Sequence, residues 1–279
     1  MNDLVSIVIP FHNGEEFFEE AIASVRSQTH GRWEVLLVDD GSTDSSSDRA
    51  MALARQWPEA FTYLEHPGHA KRGAAASRNA GMRASRGEFI AFLDIDDIWL
   101  PPKLEKQLAV LSANPDVDLV YGPLHFWYGW TGRSADIDQD FTASVFAPSD
   151  TLIEPPLALL RQIETSNGLP GTCSFLMRRA VFEGGIAHEE EFGMYEDEIF
   201  FSKIALRHRM YFMRESLDRY RQHGNSVCAR AILSGEYVPG KPNPARRKYL
   251  EWLSRYVAAD SHESVLRNAI DKQLSAYLT

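Results

Sequence analysis

Asp94, Asp96 and Asp97 fall within four positions of FLDIDDIW, directly after the apolar run Phe89-Ile90-Ala91-Phe92-Leu93. Two like charges 4 Å apart repel by about 1 kcal/mol in water and about 4 kcal/mol near a protein surface, so this cluster calls for a compensating charge. A divalent cation would supply it, and hard carboxylate oxygens favour Mg or Mn over metals with softer ligand preferences. A solvated turn, or an N-cap for the helix that Pro101, Pro102 and Leu104 begin, is the alternative. Two more polar clusters have the same setting. Pro10-Phe11-His12-Asn13 follows the apolar residues 5–9, and Asp39-Asp40-Gly41-Ser42-Thr43-Asp44 follows residues 33–38.

The elements that must position these clusters alternate regularly. Strand-like runs at 5–9, 33–38, 61–64, 88–93 and 118–121 are separated by helical stretches at 15–27, 46–57, 74–84 and 103–111, the first with Phe18, Ile22 and Val25 on one face. Continuous apolar strands between amphipathic helices predict an α/β fold, with a mostly parallel central sheet flanked by helices on both faces. Ligands of such sheets bind at the carboxyl ends of the strands. The three clusters follow the first, second and fourth strands, which places them in one shared site.

Residues 126–169, with Trp127, Trp130, Gly132, Pro148, Pro155 and Pro156, read as loop with short helices, one at 157–163. A strand at 173–177, a helix at 197–207 and strand-like stretches at 211–213 and 219–221 follow. Pro239-Gly240-Lys241-Pro242-Asn243-Pro244 is linker-like, and helices at 245–258 and 263–278 close the chain. The expected division is a main domain over 1–230 and a linker with a helical extension over 231–279.

With 279 residues, 44% of them hydrophobic, the chain can bury a substantial core. The net charge of −10 argues against a nucleic-acid partner, whose binding sites carry a basic footprint. Two cysteines, Cys173 and Cys228, make no disulfide framework, and no basic region with an apolar signal segment opens the chain. A cytoplasmic setting is expected. No run approaches the roughly 18 apolar residues of a membrane span, so any membrane contact is peripheral, at the inner face. The basic and aromatic helix at 246–256 would rest on an anionic membrane, on the core, or on a second copy in a homo-oligomer.

VSIVIPFHN, LLVDDGSTD, AASRNAGMRASRGEFIAFLDIDDIWLPPKLEKQ and the later YEDE resemble the family 2 glycosyltransferases, inverting enzymes of GT-A fold that use nucleotide-diphosphate sugars. The likeness is dense over residues 4–112 and looser over 170–228. It implies that Pro10, Phe11 and His12, with Asp39 and Asp40, line the base and ribose of the nucleotide. Asp94-Ile95-Asp96 would be the DxD signature serving ribose and a divalent Mg or Mn on the diphosphate, with Asp97 a further metal candidate. Arg78-Asn79 matches the element that precedes the fourth strand, and gives Arg78 a donor-binding role. Glu196-Asp197 matches the pair that supplies the catalytic base, with Asp197 preferred; by itself it also reads as an acidic first turn complementing a helix dipole. His223, in Tyr220-Arg221-Gln222-His223, would complete the metal shell or touch the diphosphate. The loop His66 to Gly73 departs from the family's usual asparagines and glycines, and its Lys71 and Arg72 are candidates for the diphosphate. The implied reaction moves a sugar, most commonly from a UDP-sugar, to a hydroxyl of a glycan or lipid-linked acceptor. Two rivals stand beside it. One is a haloacid-dehalogenase-type phosphatase with Asp94 as nucleophile, in which VDDGS would have no role. The other is a nucleotide-sugar-binding module without catalysis.

Overall fold

The computed structural model describes residues 3–237 and 241–277. Residues 238–240 of the expected linker and Leu278 of the last expected helix lie outside them. In chain order the strands are β1 (Val5–Phe11), β2 (Trp33–Asp39), β3 (Phe61–Glu65), β4 (Phe89–Phe92), β5 (Ile98–Trp99), β6 (Leu119–Tyr121), β7 (His125–Trp127), β8 (Phe141–Thr142), β9 (Thr151–Ile153), β10 (Phe175–Arg178), β11 (Met210–Phe212) and β12 (Asp218–Arg221). The helices are α1 (Phe18–Arg26), α2 (Ser46–Gln56), α3 (Ala74–Ala84), α4 (Lys103–Ala113), α5 (Ser134–Ile137), α6 (Leu157–Thr165), α7 (Arg179–Glu183), α8 (Glu196–Arg207), α9 (Val227–Leu233), α10 (Pro244–Tyr256) and α11 (Glu263–Ser275).

The main sheet has the order β3-β2-β1-β4-β10-β6-β11-β9. Alternate residues of its central strands enter two cores. Val8, Leu36, Val38, Ile90 and Phe92 face a layer that includes α3, α6 and α8. Ile7, Ile9, Val35, Leu37 and Ala91 face α1 and α4. Burial on both faces is why these strands read as unbroken apolar runs. Two strands, β10 and β9, run against the rest. The chain leaves the carboxyl end of β6 and enters the sheet from that side first as β9 and, after α6, again as β10, so both strands run backwards, β10 pairing Met177 with Ile90 and Phe175 with Tyr121.

The region 126–169 is more regular than expected. Besides α5 and α6 it contributes β9 to the main sheet, and β7 and β8 to a second sheet of order β5-β12-β7-β8. Strands of two or three residues are too short to show a period-2 pattern, so the sequence carries little trace of them. On the other side of the site, α3 lies almost against β1: a Cβ on Gly81 would stand 2.3 Å from Val8 Cγ1. Only glycine permits that approach, which brings Arg78 and Asn79 to the sheet's carboxyl edge.

The C-terminal helices α10 and α11 pack on the rest of the chain. Tyr249, Leu250, Leu253, Leu266 and Ile270 are all fully buried, in the same cluster as Ile199 and Leu206 of α8. The apolar face of α10 is thus spent on protein. Leu253→Ala is expected to cost about 2–5 kcal/mol, the range for a fully buried leucine. Urea unfolding measures it, and a loss below about 0.5 kcal/mol, typical of a surface position, would contradict this packing. Among the described residues no helix is long and apolar enough to cross a membrane.

Candidate active site

Arg78 organises one side of the site. Only 4% exposed, its guanidinium donates to Asp94 Oδ1 at 2.7 Å and forms a second ion pair with Glu196 Oε1. Three distant stretches meet there: α3, the end of β4 and the first residue of α8. The other oxygen of Glu196 is held by His188 Nδ1 at 2.8 Å. Burial opposes the charge of Glu196, but Arg78 and His188 outweigh it and hold the carboxyl at about 2. Burial pushes Asp94 upwards, and Arg78 offsets this only in part. Asn79 clamps the same region, donating to the His188 carbonyl at 3.0 Å and accepting from its N–H at 2.9 Å. His188, and Glu190, whose Oε1 accepts from Asn79 Nδ2 at 3.0 Å, were not legible as motif, because single residues in a loop carry no periodic signal.

The acidic cluster divides. Asp96 points to His223, with Oδ2 and Nε2 2.9 Å apart. Asp97 turns inward, 1% exposed, and accepts from the backbone N–H of Arg221 at 2.9 Å. Burial, with the charges of Asp96 and Asp94, raises its carboxyl well above the usual carboxylate range. Arg221, to which the sequence assigned no role, is the residue that ties the loop down. Its Nε donates to the Asp96 carbonyl at 2.6 Å, and its guanidinium lies 4.6 Å from the ring of Phe17 and 4.5 Å from that of Trp127. Among the described residues no three His, Cys, Asp or Glu side chains converge as a ready-made metal cage.

At the ends of β1 and β2 the expected nucleotide-binding residues take distinct places. Pro10 is buried in β1, and Phe11 turns its ring into the core against Phe18, at 6.1 Å between centroids. His12 is half-buried, and its Nδ1 is a buried polar atom with no partner among the described residues. Asp39 accepts from the Ser42 N–H at 2.8 Å, from the Tyr63 hydroxyl at 3.0 Å and from Ser47, which fixes the VDDGS turn. Asp40 accepts from the backbone N–H groups of Arg72 and Gly73 at 2.6 and 2.8 Å. The basic loop is therefore latched to the second strand's carboxyl end, which brings Lys71 and Arg72 to the edge of the site.

Asp197 follows a strained lead-in. Tyr195 adopts a left-handed conformation, φ 64°, uncommon for a bulky residue, and its ring stacks on Tyr249 of α10 at 5.6 Å. The carboxyl of Asp197 is half-buried and accepts from the Glu198 N–H at 2.8 Å. Burial pushes it up to about 6, the charge of Glu196 adds to this, and Arg78 draws it back. Glu198 is raised to about 7, chiefly by burial, but donation from Gln162 Nε2 at 2.8 Å ties it to α6.

A family model described as Glycosyl transferase family 2 matches residues 6–184. The chain belongs to that family. Among curated relatives of this family 2 protein, an uncharacterized glycosyltransferase of Nostoc sp. is 31% identical over 221 residues, covering 79% of this chain and 65% of that one, just short of two thirds of its length. A Bacillus subtilis glycosyltransferase named for teichuronic acid biosynthesis is 29% identical over 277 residues, covering 97% of this chain and 98% of its own. The S. aureus TarS 1-349 structure in complex with UDP-GlcNAc superposes with a TM-score of 0.72 at 19% identity, covering 98% of this chain and 72% of that one. The fold is the GT-A arrangement, as expected for family 2. Family membership and the engagement of Asp94 by Arg78 together disfavour the phosphatase alternative.

Proposed function

We propose that this family 2 protein is an inverting, cation-assisted glycosyltransferase that moves a sugar from a UDP-sugar to a hydroxyl of a glycan or lipid-linked acceptor. One observation carries the reading. Beside the acidic cluster, Glu196 is locked in ion pairs while its neighbour Asp197 is held near 6, where a carboxylate is a competent base at neutral pH. Asp197 would take the acceptor's hydroxyl proton as that oxygen bonds to the anomeric carbon. The bond from that carbon to the diphosphate oxygen breaks on the opposite face, and its electron pair leaves with the nucleotide. His12, with its unpartnered Nδ1, supports the placement of the nucleotide over the ends of β1 and β2.

Asp96 and His223 fit a divalent Mg or Mn as a two-residue donor set, because an oxygen and an imidazole nitrogen already meet there and the diphosphate can complete the shell. When bound, the cation would offset charge developing on the leaving diphosphate. Arg221 then serves by holding the Asp96 backbone, and Lys71 and Arg72 by screening the same phosphates. Asp96→Asn is expected to weaken UDP binding in Mn by at least about ten-fold, since disturbing even outer partners of a metal commonly costs 10- to 100-fold in its affinity. Calorimetry with Mn and with chelator tests this. Equal UDP affinity for both proteins in both conditions would remove the metal from the reading.

A further inference from the structure

Asp197 is the one acid of its helical turn with no side-chain partner among the described residues. Glu196 before it is fixed by Arg78 and His188, and Glu198 after it accepts from Gln162 Nε2 at 2.8 Å. The Gln162 amide cannot turn over, because its Oε1 accepts from the N–H groups of Gly168 and Leu169 at 2.9 and 3.3 Å. The Asp197 carboxyl takes only the Glu198 N–H, so the backbone beneath it sets its aim.

That backbone does not start its helix by local rules. Tyr195 stands where Ser, Thr, Asp or Asn commonly caps a helix, yet it offers no side-chain cap and takes φ 64°, a conformation that bulky residues avoid. Such an outlier persists only where the surroundings over-determine it. Helix α10 provides those surroundings. Tyr249 is fully buried; its ring lies 5.6 Å from that of Tyr195 at an interplanar angle of 10°, and its hydroxyl meets Ser202 Oγ at 2.8 Å. Ser202 uses its single proton on the Glu198 carbonyl at 2.6 Å, so the tyrosine is the donor. One side chain of α10 thus grips α8 on either side of Asp197. The grip is firm because α10 is itself anchored: Asn243 Oδ1 caps it by accepting from the Arg246 N–H at 2.9 Å, and Leu250 and Leu253 bury its inner face.

We propose that Tyr249 is a positioning residue of the transfer reaction: through Tyr195 and Ser202 it holds the first turn of α8 so that the Asp197 carboxylate faces the acceptor hydroxyl. The proposal rests on the reading of Asp197 as base. It adds to the catalytic machinery a helix that lies beyond the span 6–184 of the family model. The groups that face Asp197 come from several elements: Glu196 and Glu198 of its own turn, Arg78 of α3, Asp94 at the end of β4, Cys228 of α9, and Tyr237. Released from Tyr249, the turn opens to water, and the burial that raises the Asp197 carboxyl weakens.

The full chain is prepared with aspartate carrying 13C at Cγ, and the Asp197 resonance, assigned by its loss in Asp197→Asn, is titrated by NMR. In the parent it should titrate near 6. Tyr249→Leu removes one ring of the stack. Tyr195→Gly removes the other, at a position whose φ glycine adopts freely, so it tests the same stack should Tyr249→Leu fail to fold. Both should bring the titration down towards the ordinary carboxylate range, with UDP affinity by calorimetry unchanged. Tyr249→Phe keeps the stack and should keep the parental value. Parental titration of Asp197 in Tyr195→Gly would overturn the proposal, as would a shift in Tyr249→Phe as large as in Tyr249→Leu. Sugar transfer is read separately. An active Asp197→Asn would remove the base and leave the grip on α8 standing, whereas an inactive Asp197→Asn with parental titration in the tyrosine variants sinks this proposal alone.

Discussion

Asp197→Asn is expected to lower sugar transfer by about 10²- to 10⁴-fold while leaving UDP-sugar affinity unchanged, because a general base acts in the transition state and not in donor binding. The substitution keeps the side chain's size and its contact with the Glu198 N–H, so the start of α8 should survive. The same residue sets the pH profile. Its carboxyl is raised to about 6 and must be ionised to accept a proton, so transfer should be flat above about 7 and fall as the pH drops through 6. Rate and donor affinity measured from pH 5 to 8 decide the matter. A variant as active as the parent would strip Asp197 of the part of catalytic base and leave the proton to another acceptor.

Arg78→Met should cost about 3–5 kcal/mol of stability, because buried Glu196 and half-buried Asp94 would lose their shared counter-charge. Proximity to the donor cluster predicts a loss of activity too, so unfolding must be measured directly, by urea at neutral pH. The sign of the pH effect is also set. Glu196 is held down at about 2 from its ordinary 4.5, so its contribution to stability is complete above 4.5 and fades as the pH falls towards 2. In Arg78→Met that acid-side loss should shrink. A variant with parental stability and an unaltered acid limb would mean that the ion pairs contribute nothing net.

The sheet and its flanking helices were legible because strands buried on both faces and helices with one apolar face leave strong periodic signatures, as in residues 33–38 and in Phe18, Ile22 and Val25. The convergence of the polar clusters followed from that topology. What stayed hidden was which carboxylate each partner claims. Asp94, Asp96 and Asp97 look equivalent in sequence, yet one pairs with Arg78, one with His223 and one with a backbone N–H, because alternate residues of a short loop point in different directions. The reversal of β10 was hidden as well, since an apolar strand reads the same whichever way it runs. Arg221 shows the limit most plainly: its importance comes from Phe17 and Trp127, which lie far from it in sequence.

The stacking of Tyr195 on Tyr249 has a consequence for the order in which the protein becomes active. Synthesis proceeds from the amino end, and all the donor-cluster residues are made before α10 exists. Until Tyr249 has left the ribosome, the left-handed turn before Asp197 lacks the ring that supports it. A nascent chain ending near residue 237 would carry Arg78, Asp94 and Asp96 while the turn before Asp197, the proposed base, still lacked its support, so on this reading competence arrives with the last helices made.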